Sequence, residues 1–165
     1  MSDVFTKKKR SEVISRIRGK NTAIELLVFS SLRKRSVYFQ RHYDGIRGRP
    51  DIALPRKKIA VFIDGDFWHG WKFKTNKRLK SNQYWNDKIT NNIRRDTNNR
   101  KALRLSGWKV LRVWEHEIEA DLNMSVDKII NFIPKRCILL ILDNKTTKTS
   151  DILSVYCSVA VIYKE

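Results

Sequence analysis

Cysteine is scarce in this chain of 165 residues. Its two cysteines, Cys137 and Cys157, are too few for a disulfide framework or a four-thiolate zinc site. Three prolines and six glycines exclude a collagen-like or low-complexity chain. No apolar run approaches the ~18–20 residues that a membrane-spanning helix needs. The opening MSDVFTKKKR has charge with no apolar stretch behind it, so it does not read as a secretory signal. Acids are few as well, 17 against 35 Lys and Arg, for a net charge of +18. The remainder, 41% hydrophobic and 10% aromatic, is enough for one modest core. The expectation is a single soluble, intracellular, strongly basic domain.

The charge is one-sided. Residues 1–50 hold 13 basic and 4 acidic residues, and 51–100 hold 12 and 5. The remaining 65 residues hold 10 and 8, so nearly all the surplus lies in the first hundred. Such a field attracts polyanions and speeds association with nucleic acid. A solubility surface is the plainer reading, but interleaved aromatics favour nucleic acid. An anionic membrane is a weaker partner, because no basic helix has a strong apolar face.

Residues 1–20 form a basic arm or short helix, with Val13, Ile14 and Ile17 apolar. Thr22 and Glu25 make a capping-box pattern, and Ile24, Leu27, Val28 and Leu32 predict a helix over 22–34. Val37–Tyr43 and Asp51–Leu54 read as strands, with a turn at 55–58. Ile59–Ile63 is a buried central strand ending at Asp64-Gly65-Asp66. Residues 72–83 read as a basic loop. A polar helix follows from Tyr84 to about Leu105, with Trp85, Ile89, Ile93 and Asp96 on one face. Trp108–Trp114 reads as a strand and Glu115–Ile133 as one last helix. This order predicts an α/β domain with a mixed central sheet flanked by helices. Beyond Pro134, two apolar runs, Cys137–Leu142 and Ile152–Tyr163, predict an added hairpin.

The chemistry gathers at two strand ends. Asp51 follows Pro50 at one, and Asp64 closes the next strand. Antiparallel pairing through a tight turn brings them together. Two such carboxylates suit Mg²⁺ held between protein and phosphate, although two exposed loop aspartates would give the same spacing. Phe67-Trp68-His69 follows directly. Adjacent large aromatics after a turn cannot both face one core, so one is expected to be exposed, as a wedge or stacking group for bases. Histidine titrates close to neutrality, which suits His69 as a general base on a metal-bound water.

With these residues in place, the sequence resembles the very short patch repair (Vsr) mismatch endonucleases of bacteria. The matching stretches are TAIE at 22–25, GRPDIAL at 48–54, VFIDGDFWHG at 61–70, YWNDKITNNIRRD at 84–96 and GWKVLRVWEHE at 107–117. They stand in family order and make 1–133 the endonuclease domain; 134–165 has no counterpart. The resemblance implies a restriction-endonuclease-like fold of the PD-(D/E)xK type. It implies a Mg²⁺-dependent nick in one strand beside the T of a T·G mismatch, with two ions allowed. Such mismatches arise when 5-methylcytosine deaminates, so a cytosine-5 DNA methyltransferase is the functional companion, and a repair protein is a further candidate partner. The implied location is the bacterial cytoplasm, at the nucleoid. By position, Asp51 is the metal-binding aspartate and Ile63 supplies a backbone carbonyl to metal. His69 matches the general base, Asp96 the acid that supports a histidine, and Phe67, Trp68 and Trp85 the aromatics that enter the base stack.

Glu25 has two competing readings, as the capping-box acid or as an acid pointing into the site. Two departures from the family pattern stand out. Some members carry histidine where Asp64 stands, so Asp64 is expected to join Asp51 at the metal. The best-known members also hold a structural zinc with cysteines and a histidine, where this chain has Asp66, Trp71 and His116. Asp66 and His116 alone do not make a four-ligand site, so no zinc is expected and a direct Asp66–His116 hydrogen bond is. A restriction-like enzyme cutting matched duplex and a non-catalytic DNA-binding module remain as alternatives.

Overall fold

The computed structural model describes residues 6–15, 19–76 and 82–134. Within them the basic arm contains a helix, α1 (Lys7–Ser15). Helix α2 (Ala23–Lys34) starts where Thr22 accepts a hydrogen bond from the Glu25 N–H at 3.3 Å. Its buried face is Glu25, Val28, Phe29 and Leu32. Leu27, expected inside, is turned out, and Phe29 takes the core position instead.

The sheet has four strands in the order β1 (Gln40–Arg41), β2 (Ile52–Leu54), β3 (Ile59–Asp64) and β4 (Lys109–Trp114). The first three are antiparallel and β3–β4 is parallel, so the sheet is mixed as the sequence predicts. β1 is far shorter than Val37–Tyr43, because His42 takes left-handed backbone (φ 46) and ends the pairing. A 3-10 turn, Pro55–Lys57, and left-handed Lys58 join β2 to β3. β3 is the central strand, and all its residues but Ile63 are buried.

A parallel pair needs a crossover, here supplied by α3 (Trp71–Thr75) and α4 (Gln83–Leu105). Residues 72–75 are therefore helical rather than loop, and 77–81 lie outside the described residues. Asn82 caps α4 by accepting from the Trp85 N–H at 3.3 Å. Alternation along β3 puts Ala60 and Phe62 against Leu103 of α4, with Trp108 and Val110 beside them. Asp64 continues that face and so points toward α4.

The expected last helix is two, α5 (Glu115–Ala120) and α6 (Leu122–Phe132). Asp121 breaks the run with extended backbone (φ −154, ψ 101) and caps α6 through the Met124 N–H at 2.8 Å. Val126 and Ile129 of α6 and Ile133 at its C-cap are buried, and α6 packs on α2. No helix among the described residues is long and apolar enough to cross a membrane. The predicted hairpin after Pro134 lies outside them.

Candidate active site

The β2–β3 register pairs Ile52 with Val61, so Asp51 lies alongside the end of β3. The Ile63 N–H donates to Asp51 Oδ2 at 2.7 Å. This bond locks the carboxylate against the strand whose carbonyl at Ile63 is the second expected metal contact. Burial pushes the Asp51 carboxyl up to about 7, against the pull of the Ile63 N–H. The charges of Glu25 and Asp64 push it the same way as burial. A carboxylate so short of compensating positive charge suits a divalent cation.

Glu25, Asp51, Ile63, Asp64, Phe67, Trp68, His69 and Asp96 line one cleft of ≈ 950 Å³. His69 and Asp96 meet across it, with His69 Nδ1 2.7 Å from Asp96 Oδ2. Nδ1 then carries the proton to the carboxylate, and Nε2 is left to accept one. Arg95 donates to the other Asp96 oxygen at 3.0 Å. Burial raises the Asp96 carboxyl, but His69 and Arg95 outweigh it and hold the group below its ordinary value.

Gly70 allows this approach. Its φ is +90, and a Cβ there would fall 2.4 Å from Ile93 Cδ1. The segment that carries His69 can therefore lie directly on α4, one turn from Asp96.

Asp64 lines the same cleft as Asp51, and its carboxylate faces two arginines and His69. Its Oδ2 meets Arg112 Nε and lies 3.7 Å from Arg100 Nη1, while Oδ1 is 3.6 Å from His69 Nδ1. Arg112 also sits 3.5 Å over the Trp114 ring and donates to the His69 carbonyl at 3.3 Å. Asp64 is thus turned toward two guanidinium groups, and the grouping around Asp51 consists of Glu25 and His42 instead. The sequence does not single out His42, Arg100 or Arg112, since the first ends a strand and the others sit in an ordinary helix and strand.

Glu25 closes the helix start and also faces the cleft. It accepts from the Thr22 hydroxyl at 3.0 Å and the Asn21 N–H at 2.8 Å, closing the helix start. Its carboxylate also lies 3.4 Å from His42 Nε2, in the cleft. A capping acid at the third helical position faces the chain that enters the helix, and here that chain forms the cleft wall.

The aromatics pack together. Phe67 lies edge-on to Trp68 at 4.9 Å and to Trp85 at 5.1 Å, and Trp68 to Trp85 is 6.0 Å. Phe67 and Trp68 are both half-buried, so neither is the fully exposed ring that the sequence predicts. Trp85 packs against both rings, and Phe67 and Trp68 line the cleft.

On the far side of Gly65, Asp66 is buried and its Oδ1 is 2.6 Å from His116 Nδ1, the expected direct bond. The Trp71 ring stacks on His116 at 4.2 Å. Asp66 and His116 are spent on each other, and the chain has no cysteine before Cys137, so these residues do not fit the family's structural zinc.

Carboxylates in a basic cleft beside a poised imidazole address one recurrent problem, the hydrolysis of an anionic diester. On a mixed sheet between helices, they mark a nuclease with a restriction-endonuclease-like core. Comparison with known proteins narrows the class. The family model for the DNA mismatch endonuclease Vsr matches residues 2–75. The type II nicking enzyme V.NmeAIP of Neisseria meningitidis serogroup A is 39% identical over 120 residues, covering 72% of this chain and 86% of that one. V.XorIIP of Xanthomonas oryzae, another type II nicking enzyme, is 34% identical over 119 residues, 72% and 88% of the two chains. The Vsr endonuclease of Escherichia coli is 33% identical over 118 residues, 70% and 74%. The chain belongs to the Vsr family and is a DNA endonuclease.

Proposed function

We propose that this endonuclease nicks one strand of duplex DNA beside the T of a T·G mismatch, with Mg²⁺ as cofactor. The observation that carries this reading is the convergence of Asp51, the Ile63 backbone and the His69–Asp96 pair on one cleft lined by Phe67 and Trp68, which pack on Trp85. Asp51 Oδ1 and the Ile63 carbonyl would hold the ion. Mg²⁺ bound there supplies stabilisation for the charge that builds on phosphate as water attacks.

His69 Nε2 takes a proton from the attacking water, and Asp96 at Nδ1 keeps the ring in the tautomer that can do so. Asp64 acts with Arg112 to position His69 from behind. Arg49, Arg95 and Arg100 line the cleft and suit contacts to the flanking phosphates. The aromatic wall supports mismatch selection, because a wedge costs least where stacking and pairing are already weak. The proposed setting is the bacterial cytoplasm, at the nucleoid, alongside a cytosine-5 methyltransferase whose product deaminates to the mismatch.

End-labelled duplexes holding T·G or T·A, incubated with protein and Mg²⁺ and resolved on a denaturing gel, test the reading. One nick beside T, in T·G duplexes alone, is expected. Cleavage of matched duplex moves the enzyme to a restriction-like role. Binding without cleavage by the Mg²⁺-loaded protein refutes the catalytic assignment.

A further inference from the structure

Among the described residues one trio of metal-binding side chains comes together, Glu25, His42 and Asp51, with a donor atom from each within 4.8 Å of the others. His42 comes from the end of β1 and has no role in the reaction above. Its left-handed backbone is held by its own N–H, which donates to the Asp51 carbonyl at 3.0 Å. The ring is wedged edge-on against Phe29 at 5.7 Å, and 13% of the side chain is exposed. The imidazole is thus packed beside the two acids.

The two ring nitrogens face different partners. Nε2 lies 3.2 Å from Asn21 Oδ1 and 3.4 Å from Glu25 Oε2, two oxygen acceptors that favour the proton there. Nδ1 then presents its lone pair toward Asp51 Oδ1 at 3.6 Å, beyond hydrogen-bond reach. Two donors at that spacing can each bind one ion at ~2.2 Å, subtending about 110°. A ligating histidine commonly donates its other N–H to an oxygen acceptor, as His42 does to Asn21. Asp51 has Oδ2 committed to Ile63, which leaves Oδ1 for such an ion. Glu25 Oε2 is turned to the Nε2 edge of the ring and to the Asn21 N–H, so Glu25 joins such an ion through a bridging water.

We propose that Glu25, His42 and Asp51 form a second cation site that shares Asp51 with the Mg²⁺ site and prefers a first-row transition ion. The preference follows from the ring nitrogen. Mg²⁺ takes oxygen ligands and keeps its waters, whereas imidazole suits Mn²⁺ and the ions beyond it. The inference rests on the proposed function only in taking Asp51 as a metal ligand.

Mn²⁺ is titrated into the full chain without DNA and read by pulsed EPR for directly coordinated imidazole nitrogen. Nitrogen coupling is expected in the unmodified chain and in His69→Gln, and its loss in His42→Gln. The Mn²⁺ affinity of His42→Gln should fall about tenfold or more, with Mg²⁺ affinity within about twofold. Should His42→Gln fail to fold, Asn21→Ala removes the ring's acceptor and is expected to weaken Mn²⁺ more than Mg²⁺. Coupling that survives His42→Gln, or equal losses for the two ions, overturns the proposal. Mn²⁺ bound through Asp51 with no nitrogen coupling overturns the His42 assignment and leaves the Mg²⁺ site standing. Unchanged Mn²⁺ binding in Asp51→Asn removes both readings.

Discussion

Replacing Asp51 with asparagine separates what the residue does for the fold from what it does for the reaction. Asparagine keeps an oxygen for the Ile63 N–H, so the bond that fixes β2 against β3 survives, and only the charge is removed. Without metal, that charge is a liability. Holding a carboxyl that ordinarily titrates at 3.8 up at about 7 costs ~4 kcal/mol above neutrality, at ~1.4 kcal/mol per pH unit. With 19% of the side chain in contact with solvent, water screening brings this to ~2 kcal/mol. The sign follows from proton uptake. Between 3.8 and about 7 the folded chain binds the proton that the unfolded chain releases, so stability falls as pH rises through that window. Asp51→Asn should therefore melt ~4–8 °C above the unmodified chain at about pH 8 without metal, and lead by less than half of that near pH 5. Mg²⁺ should raise the melting temperature of the unmodified chain alone, and the variant should not nick DNA. Differential scanning fluorimetry over a pH series, with and without Mg²⁺, reads all of this. A variant that melts lower at about pH 8, or a gap that does not shrink on acidification, refutes the argument that buried charge is stored here for a cation.

Four further outcomes are expected. Asp96→Asn, which leaves the His69 tautomer unspecified, should lower the nicking rate ~10²–10⁴-fold in single-turnover assays, with Mg²⁺ affinity unchanged. Asp66→Ala breaks the buried bond to His116 and should lower the melting temperature by several degrees, for a loss of ~1–3 kcal/mol; a chelator in Mg²⁺-free buffer should leave the unmodified chain where it was. Phe67→Ala should reduce binding to T·G duplex by ~1–3 kcal/mol and to matched duplex by less, measured by fluorescence anisotropy. Gly70→Ala forces a Cβ into Ile93 at a left-handed position and should cost ~2 kcal/mol or more in chemical denaturation; nicking should fall with it as His69 separates from Asp96.

The parts of the site that depend on one stretch of chain were legible in the sequence. GRPDIAL and VFIDGDFWHG give two short strands around a turn, and antiparallel pairing alone then puts Asp51 beside Ile63. The interval from Trp85 to Asp96 is three helical turns, so one helix carries the aromatic wall and the partner of His69. Capping chemistry gave the start of α2 and placed Glu25, although treating capping and site as exclusive was too strict for a carboxylate with two oxygens. Errors arose where tertiary contacts override local pattern. β1 stops at His42 because a left-handed residue joins it to the Asp51 strand, and the helix predicted over 115–133 breaks at Asp121, whose side chain caps the second half. Neither residue is a strong breaker on its own.

Asp64 shows why the remainder could not be read position by position. Taken alone, an acid at a strand end beside Asp51 reads as a second metal ligand. Its actual environment is set by Arg112, beside it across the β3–β4 register, and by Arg100, one turn of α4 beyond Asp96. The parallel pairing of Asp64 with Trp114 puts the Arg112 side chain on the same face, and Trp114 gives its guanidinium a ring to lie on. Three residues far apart in sequence therefore form one ionic cluster, and turning its acid to a metal leaves two half-buried guanidinium groups less well paired, at a cost of ~1–3 kcal/mol. The same reasoning makes the cluster testable as a unit. Asp64→Asn alone should be strongly destabilising, whereas Asp64→Asn combined with Arg112→Leu should recover much of the loss. If the double variant is no more stable than the single one, the arginines are not what fixes Asp64.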